Sequence, residues 1–133
     1  MLTWSKQYET GVALVDTQHK VLFDHINKLE EIAQSKEVRI GDLDRLVRFL
    51  ESYVISHFSF EESCMKRFHC PAHEENTRAH AQFLEAFGKL KAEYPTLGPT
   101  HAFVTKLHSA ASNWIRSHIL NVDTKLKSAA PGH

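Results

Sequence analysis

Apolar side chains recur at helical spacing in four separate stretches of this sequence, and this repetition restricts the fold more than any other feature. At ~100° of rotation per residue, the apolar positions of each stretch fall on one face of a helix. Gly and Pro residues separate the stretches, which we define as segments A (17–35), B (41–68), C (71–94) and D (100–128). Four amphipathic helices with short connections predict an all-α, up-down-up-down antiparallel four-helix bundle, preceded by a polar leader of about sixteen residues.

Size and composition favour a single globular domain over residues 1–133. Hydrophobic residues make up 42% of the chain and charged residues 24%, which argues against disorder. The 16 basic and 16 acidic side chains cancel, so we expect neither nucleic acid nor anionic lipid as a partner. No apolar run approaches the ~20 residues of a membrane span, so we expect no membrane association. Two cysteines, Cys64 and Cys70, are too few for a disulfide scaffold and suit a reducing compartment, which predicts a cytoplasmic location.

Polar residues interrupt the apolar faces of all four segments. The chain contains 10 histidines, and four of them lie within the apolar stripes, one on each segment: His19, His57, His80 and His118. Glu61 lies in the stripe of segment B one turn after His57, whereas its neighbour Glu62 is expected to point outward. Burial of an unpaired carboxylate costs several kcal/mol, so Glu61 requires a partner that holds its charge.

Two interpretations of these inward polar residues are open. A single core histidine is more often a hydrogen-bonded packing residue than a ligand, and a single inward glutamate can pair with an arginine. Four inward histidines on four helices, with a carboxylate beside one of them, are more typical of a metal site in the bundle core. Imidazole and carboxylate ligands together favour iron, manganese or zinc over calcium or magnesium.

Four stretches of the chain resemble bacterial hemerythrins, a family with a non-heme diiron centre. They are GVALVDTQHKVLFDHIN (11–27), HFSFEESCM (57–65), HAQF (80–83) and WIRSHILNVD (114–123). The resemblance implies two iron ions joined by two carboxylates and by an oxo or hydroxo bridge, with dioxygen, water or a small anion as the exogenous ligand. The implied ligands are His19 and His57 on one iron, His80 and His118 on the other, and Glu61 and Asp123 as bridges. We expect Phe58 and Trp114 to wall the pocket.

Asp123 does not follow from helical periodicity. It comes five residues after His118, which places it about 140° away on a regular helix, and Val122 would lie closer to the stripe. The family motif therefore implies a local distortion of segment D between His118 and Asp123.

The third helix departs from the family pattern. The family places two histidines four residues apart there, and in this sequence the second is His80 while the first is replaced by Asn76. With one histidine fewer, a second labile position is expected on the iron that His80 and His118 bind. An exchangeable water or anion near Asn76 is the favoured occupant. The alternatives are His73, one turn earlier on the same face, and direct ligation by the Asn76 amide oxygen.

Two main hypotheses for function follow. An oxygen or redox sensor that regulates an attached output domain, such as a diguanylate cyclase or a chemoreceptor, is favoured by the open position at Asn76. The C-terminal sequence KSAAPGH is typical of a helix end followed by a linker, which suits a domain cut from a longer signalling protein. A reversible dioxygen carrier is the alternative. An oxidative enzyme and a zinc-only structural bundle fit less well, and we expect no enzymatic activity in this domain, because no Glu-x-x-His pair occupies an inward stripe.

Overall fold

The computed structural model describes residues 1–130, and the part of the expected linker formed by residues 131–133 lies outside the described residues. Four helices are long: α1 (Ala13–Gln34), α2 (Ile40–Arg67), α3 (His73–Ala92) and α5 (His101–Asn121). A single turn, α4 (Tyr94–Leu97), precedes α5, and 3-10 helices occupy Lys6–Tyr8 and Asp123–Ser128. Within residues 1–130 there is no β-strand, as the periodicity predicts.

The four long helices close into a ring. α1 packs against α2 and α5, and α3 packs against the same two helices on the opposite side. The all-α four-helix bundle expected from the four apolar stripes is confirmed. No helix among residues 1–130 combines the length and the apolar character that a bilayer span requires.

The helix limits differ from the predicted segments at three points. α1 begins at Ala13, so the leader is shorter than expected. The backbone N–H and the hydroxyl of Thr10 both donate to Asp16 Oδ1 at 2.9 Å, which stabilises this early start of the helix. α3 begins at His73 and so starts later than segment C. Segment D is not one helix, since its α-helical part ends at Asn121 and a 3-10 helix follows.

A tight reversal after α2 sets α3 beside it. His69 adopts the left-handed conformation with φ 54°, which a non-glycine residue rarely takes. The Cys70 N–H donates to the Met65 carbonyl at 2.8 Å, and the His69 N–H donates to the Lys66 carbonyl at 3.2 Å. These two bonds satisfy carbonyl groups at the helix end, and Pro71 follows where the helix cannot continue.

Two apolar clusters form the core. The larger cluster contains most of the inward side chains of α1, α2 and α5, together with Phe87 of α3. The smaller cluster lies at the end of the bundle where α2 turns into α3, and comprises Val15, Cys64, Met65, Cys70, Ala72, Val122 and Leu126. On every long helix the inward polar residues come between members or neighbours of these two clusters, so they form a polar layer within an apolar core.

Candidate metal centre

Seven buried polar side chains form this layer, which we call the polar cluster. Each is no more than 6% exposed, and the members are His19, His57, Glu61, Asn76, His80, His118 and Asp123. The structure therefore brings all six implied ligands together with Asn76.

Glu61 divides its two carboxylate oxygens between two sides of the cluster. Its Oε2 atom lies 3.0 Å from His19 Nε2 and 3.5 Å from His57 Nε2. Its Oε1 atom lies 3.1 Å from His80 Nε2 and accepts a hydrogen bond from Asn76 Nδ2 at 3.1 Å. The contact within α2 follows from helix geometry, since residues four apart lie one above the other.

Asp123 divides its oxygens in the same way. Oδ2 lies 3.2 Å from His19 Nε2, and Oδ1 lies 3.1 Å from His118 Nε2. This position depends on the break after α5, where Val122 leaves helical geometry with φ −123° and ψ −58°. The distortion expected between His118 and Asp123 is therefore present, and it turns Asp123 into the cluster while Val122 packs in the smaller apolar cluster.

The two carboxylates thus connect two sets of nitrogen donors. We call His19 and His57, with Glu61 Oε2 and Asp123 Oδ2, the His19 half. We call His80, His118 and Asn76, with Glu61 Oε1 and Asp123 Oδ1, the His80 half. In the His80 half, donor atoms of Glu61, His80, His118 and Asp123 lie within 4.8 Å of one another, and in the His19 half the same holds for His19, His57 and Glu61.

The donor atoms of both halves fit a cation. His57 Nε2, His80 Nε2 and Asp123 Oδ1 are buried and have no hydrogen-bond partner, although carboxylates or imidazoles lie close to all three. Buried polar atoms are rarely left unpaired in proteins. Imidazole nitrogens and carboxylate oxygens that converge in this way supply the donor set of a first-row transition metal.

Asn76 and His73 occupy different environments. Asn76 is fully buried. The Glu61 carboxylate can only accept hydrogen bonds, so the NH₂ group of Asn76 faces Glu61. The Oδ1 atom of Asn76 therefore faces His118 Nε2, at 2.7 Å. His73 is the first residue of α3, is only half-buried, and lines a surface depression with Glu74 and Arg78. Among residues 1–130, no group of side chains able to hold a metal ion includes His73.

Two residues that the sequence analysis did not assign to the site hold the outer nitrogens of cluster histidines. His57 Nδ1 hydrogen-bonds Gln18 Oε1 at 2.7 Å. His80 Nδ1 hydrogen-bonds Glu62 Oε2 at 3.0 Å, so the expectation that Glu62 simply points outward is wrong. Glu62 keeps 29% of its side-chain surface exposed, which agrees with its position outside the apolar stripe.

The contacts shift the pKa values of four cluster residues. Burial favours neutral His19, but the contacts of its Nε2 with the carboxylates of Asp123 and Glu61 outweigh burial and raise the His19 pKa to about 9. Burial lowers the pKa of His57. Burial alone would raise the pKa of Glu61, yet the close contacts with His19, His57 and His80 hold it well below its usual value. For His80, the two glutamates Glu61 and Glu62 overcome burial and raise the pKa.

Aromatic rings border the His80 half on its apolar side. The Phe58 ring stacks on the His80 ring at 3.7 Å between centroids and 2° between planes. The Trp114 ring stacks on the His118 ring at 4.4 Å and 12°. A cavity of about 20 Å³ adjoins Phe58 and Trp114, and its other walls are aliphatic or aromatic. Phe58 and Trp114 therefore line an apolar space next to the cluster.

Comparisons with known proteins agree with this architecture. Residues 10–130 match the family described as Hemerythrin HHE cation binding domain. A bacteriohemerythrin of Pseudomonas aeruginosa is 32% identical over 92% of this chain and 76% of its own length. A bacteriohemerythrin of Methylococcus capsulatus is 26% identical over 91% of this chain and 87% of its own. A crystal structure of wild-type hemerythrin superposes with a TM-score of 0.83 at 22% identity and covers 97% of both chains, which supports the fold.

Proposed function

Because this chain belongs to the hemerythrin HHE cation-binding family, we propose that its polar cluster holds two iron ions and that the domain binds dioxygen. The observation that carries the proposal is the placement of the carboxylate oxygens of Glu61 and Asp123. Each of these two residues presents one oxygen to the His19 half and one to the His80 half. A structural role alone does not call for two carboxylates shared between two pairs of imidazoles.

In this proposal each side chain has a defined task. The Nε2 atoms of His19 and His57 would hold one ion and those of His80 and His118 the other, while Glu61 and Asp123 would each offer one carboxylate oxygen to each half. Gln18 and Glu62 hold the rings of His57 and His80 in place through Nδ1. Iron held there in the ferrous state would supply the electrons that dioxygen takes up on binding.

We further propose that the domain acts as an oxygen or redox sensor for an attached output domain. The support is Asn76, which supplies an amide where the family has an imidazole and leaves a position near His118 for an exchangeable water or small anion. A neutral amide is a weaker donor than imidazole, so a ligand from solution can compete for this position. Easier oxidation and ligand uptake suit a sensor better than a carrier.

A reversible dioxygen carrier is the second candidate function. The observation that favours it is the apolar enclosure, because the cavity beside Phe58 and Trp114 adds only aliphatic and aromatic walls. Such walls exclude water from the cluster and retard irreversible oxidation.

Iron content together with visible absorption, measured reduced and anaerobic and then in air, tests the proposal. Two irons per chain with a charge-transfer band that persists in air and reverses on deoxygenation support the carrier. Two irons that pass within seconds to a stable diferric spectrum sensitive to azide or chloride support the sensor. Zinc, or no metal after expression in iron-replete medium, contradicts the proposed function.

A further inference from the structure

The outer hydrogen bonds of the polar cluster differ in charge between its two halves. In the His19 half, His57 Nδ1 meets the neutral amide of Gln18 at 2.7 Å. In the His80 half, His80 Nδ1 meets the carboxylate of Glu62 at 3.0 Å. Within residues 1–130, Glu62 is the one carboxylate that bonds the Nδ1 atom of a cluster histidine, and His80 is its one ion-pair partner.

The His80 ring has little freedom to turn away from this contact. The Phe58 ring lies parallel to it at 3.7 Å, which fixes the ring plane. Within that plane, Glu62 lies at Nδ1 and Glu61 Oε1 lies 3.1 Å from Nε2. Because a carboxylate only accepts hydrogen bonds, Glu62 keeps a proton on Nδ1 and leaves the Nε2 lone pair for a cation.

We propose that Glu62 is a positioning residue that strengthens cation binding by the His80 half and thereby offsets the imidazole that Asn76 replaces. This inference rests on the proposed function, because it assumes that both halves hold a cation. An anion at Nδ1 makes the opposite nitrogen a better donor, and loss of such outer partners typically weakens metal affinity by about 10- to 100-fold. Since Glu62 is partly exposed, solvent screens its charge, and we expect the lower end of that range.

Competition titrations with a chromogenic chelator test the proposal, with Zn²⁺ as one probe and Fe²⁺ under anaerobic conditions as the other. Glu62→Ala is expected to weaken one of the two dissociation constants about tenfold and leave the stoichiometry at two. Glu62→Gln keeps an acceptor for Nδ1 without the charge, so it is expected to recover part of the loss. Glu85→Ala, which removes an exposed glutamate of α3, is the matched control for loss of a surface charge.

Long-range ¹H–¹⁵N spectra of the zinc-loaded protein give a second measurement that does not depend on oxygen chemistry. In the unsubstituted protein, His80 is expected to show a slowly exchanging Nδ1 proton and a metal-bound Nε2. In Glu62→Ala, this proton exchanges faster and the His80 shifts change, while those of His19 and His57 stay. A purely structural role of Glu62 would instead lower the unfolding temperature without a selective change at His80.

The outcomes separate this inference from the function on which it rests. Two bound Fe²⁺ ions in both proteins, with dissociation constants that Glu62→Ala changes less than twofold, overturn the inference and leave the proposed function standing. Fewer than two Fe²⁺ ions in the unsubstituted protein refute both.

Discussion

The two halves of the polar cluster share their carboxylates but come from different helices. α1 and α2 supply the nitrogens of the His19 half, whereas α3 and α5 supply those of the His80 half. Glu61 extends from α2 to the other half, and Asp123 returns from beyond α5 to His19. The amide of Asn76 on α3 belongs to the His80 half, so a change at this position alters one half and leaves the nitrogens of the other intact. The halves can diverge as long as the two carboxylates that contact both of them remain.

The first prediction breaks both halves together. Glu61→Ala removes the carboxylate that contacts His19, His57 and His80, so both positions lose an oxygen donor at once. We expect the number of bound irons to fall from two to none under conditions in which the unsubstituted protein is fully loaded. Metal analysis after gel filtration measures it, and Glu85→Ala is the control. Retention of two irons per chain would refute the bridging role of Glu61.

The second prediction concerns the pH dependence of cation binding and applies most directly to the His19 half. The His19 pKa of about 9 lies above its ordinary value near 6.5, so below pH 9 a cation must displace a proton from this ring. Affinity at this half is expected to rise about tenfold per pH unit, and so roughly 100-fold between pH 7 and pH 9, and then to level off. Zn²⁺ competition titrations across this range measure the slope.

The raised His19 pKa also determines how the stability of the metal-free protein changes with pH. A pKa raised on folding contributes stability that is fully present below pH 6.5 and is lost as pH rises through 9. Thermal unfolding of metal-free protein should therefore show a midpoint that falls between about pH 6.5 and pH 9 and then levels off. Asp123→Asn removes one of the two carboxylates that raise the His19 pKa, so the fall should end at a lower pH and be smaller. A midpoint independent of pH in both proteins would contradict the assigned His19 contacts.

The third prediction changes the His80 half alone. Asn76→His places an imidazole where the amide now contacts His118, and so adds the nitrogen donor that the resemblance to bacterial hemerythrins implies at this position. We expect cation affinity at the His80 half to rise about tenfold, ~1.4 kcal/mol, and the ferrous protein to oxidise more slowly in air. Stopped-flow absorption measures the oxidation rate. Thr77→His, which adds a histidine to the exposed face of α3, is the control, and an unchanged rate in Asn76→His would show that position 76 does not control access.

The sequence predicts the bundle and the inward histidines because both depend on a period of 3.6 residues. Each long helix presents its histidine on the same face as its leucines and phenylalanines, and this face is buried. Periodicity fails where the chain leaves the helix. Asp123 follows a break at Val122, so only the resemblance to a family motif indicated it.

Glu62 shows a second limit of sequence patterns. Its position on α2 is the partly exposed one next to Glu61, and helical spacing alone cannot distinguish a solvated glutamate from one that reaches the outer nitrogen of a histidine on α3. That contact depends on how closely α2 and α3 approach and on the rotamer of a long side chain. The contact of Gln18 with His57 could not be predicted from the sequence for the same reason, since the two residues lie on different helices.

The smallest expected effect comes from His73, the residue considered as an alternative ligand for the position near Asn76. It begins α3, where its carbonyl accepts a hydrogen bond from the Thr77 hydroxyl at 3.0 Å and its half-buried side chain faces a surface depression. A ring in this place is not among the side chains that converge on Glu61. His73→Ala is therefore expected to change iron stoichiometry, both cation affinities and the oxidation rate by less than about twofold, which corresponds to ~0.4 kcal/mol. Loss of one iron, or a large fall in affinity at the His80 half alone, would mean that α3 unwinds at its first turn to bring His73 to the cluster.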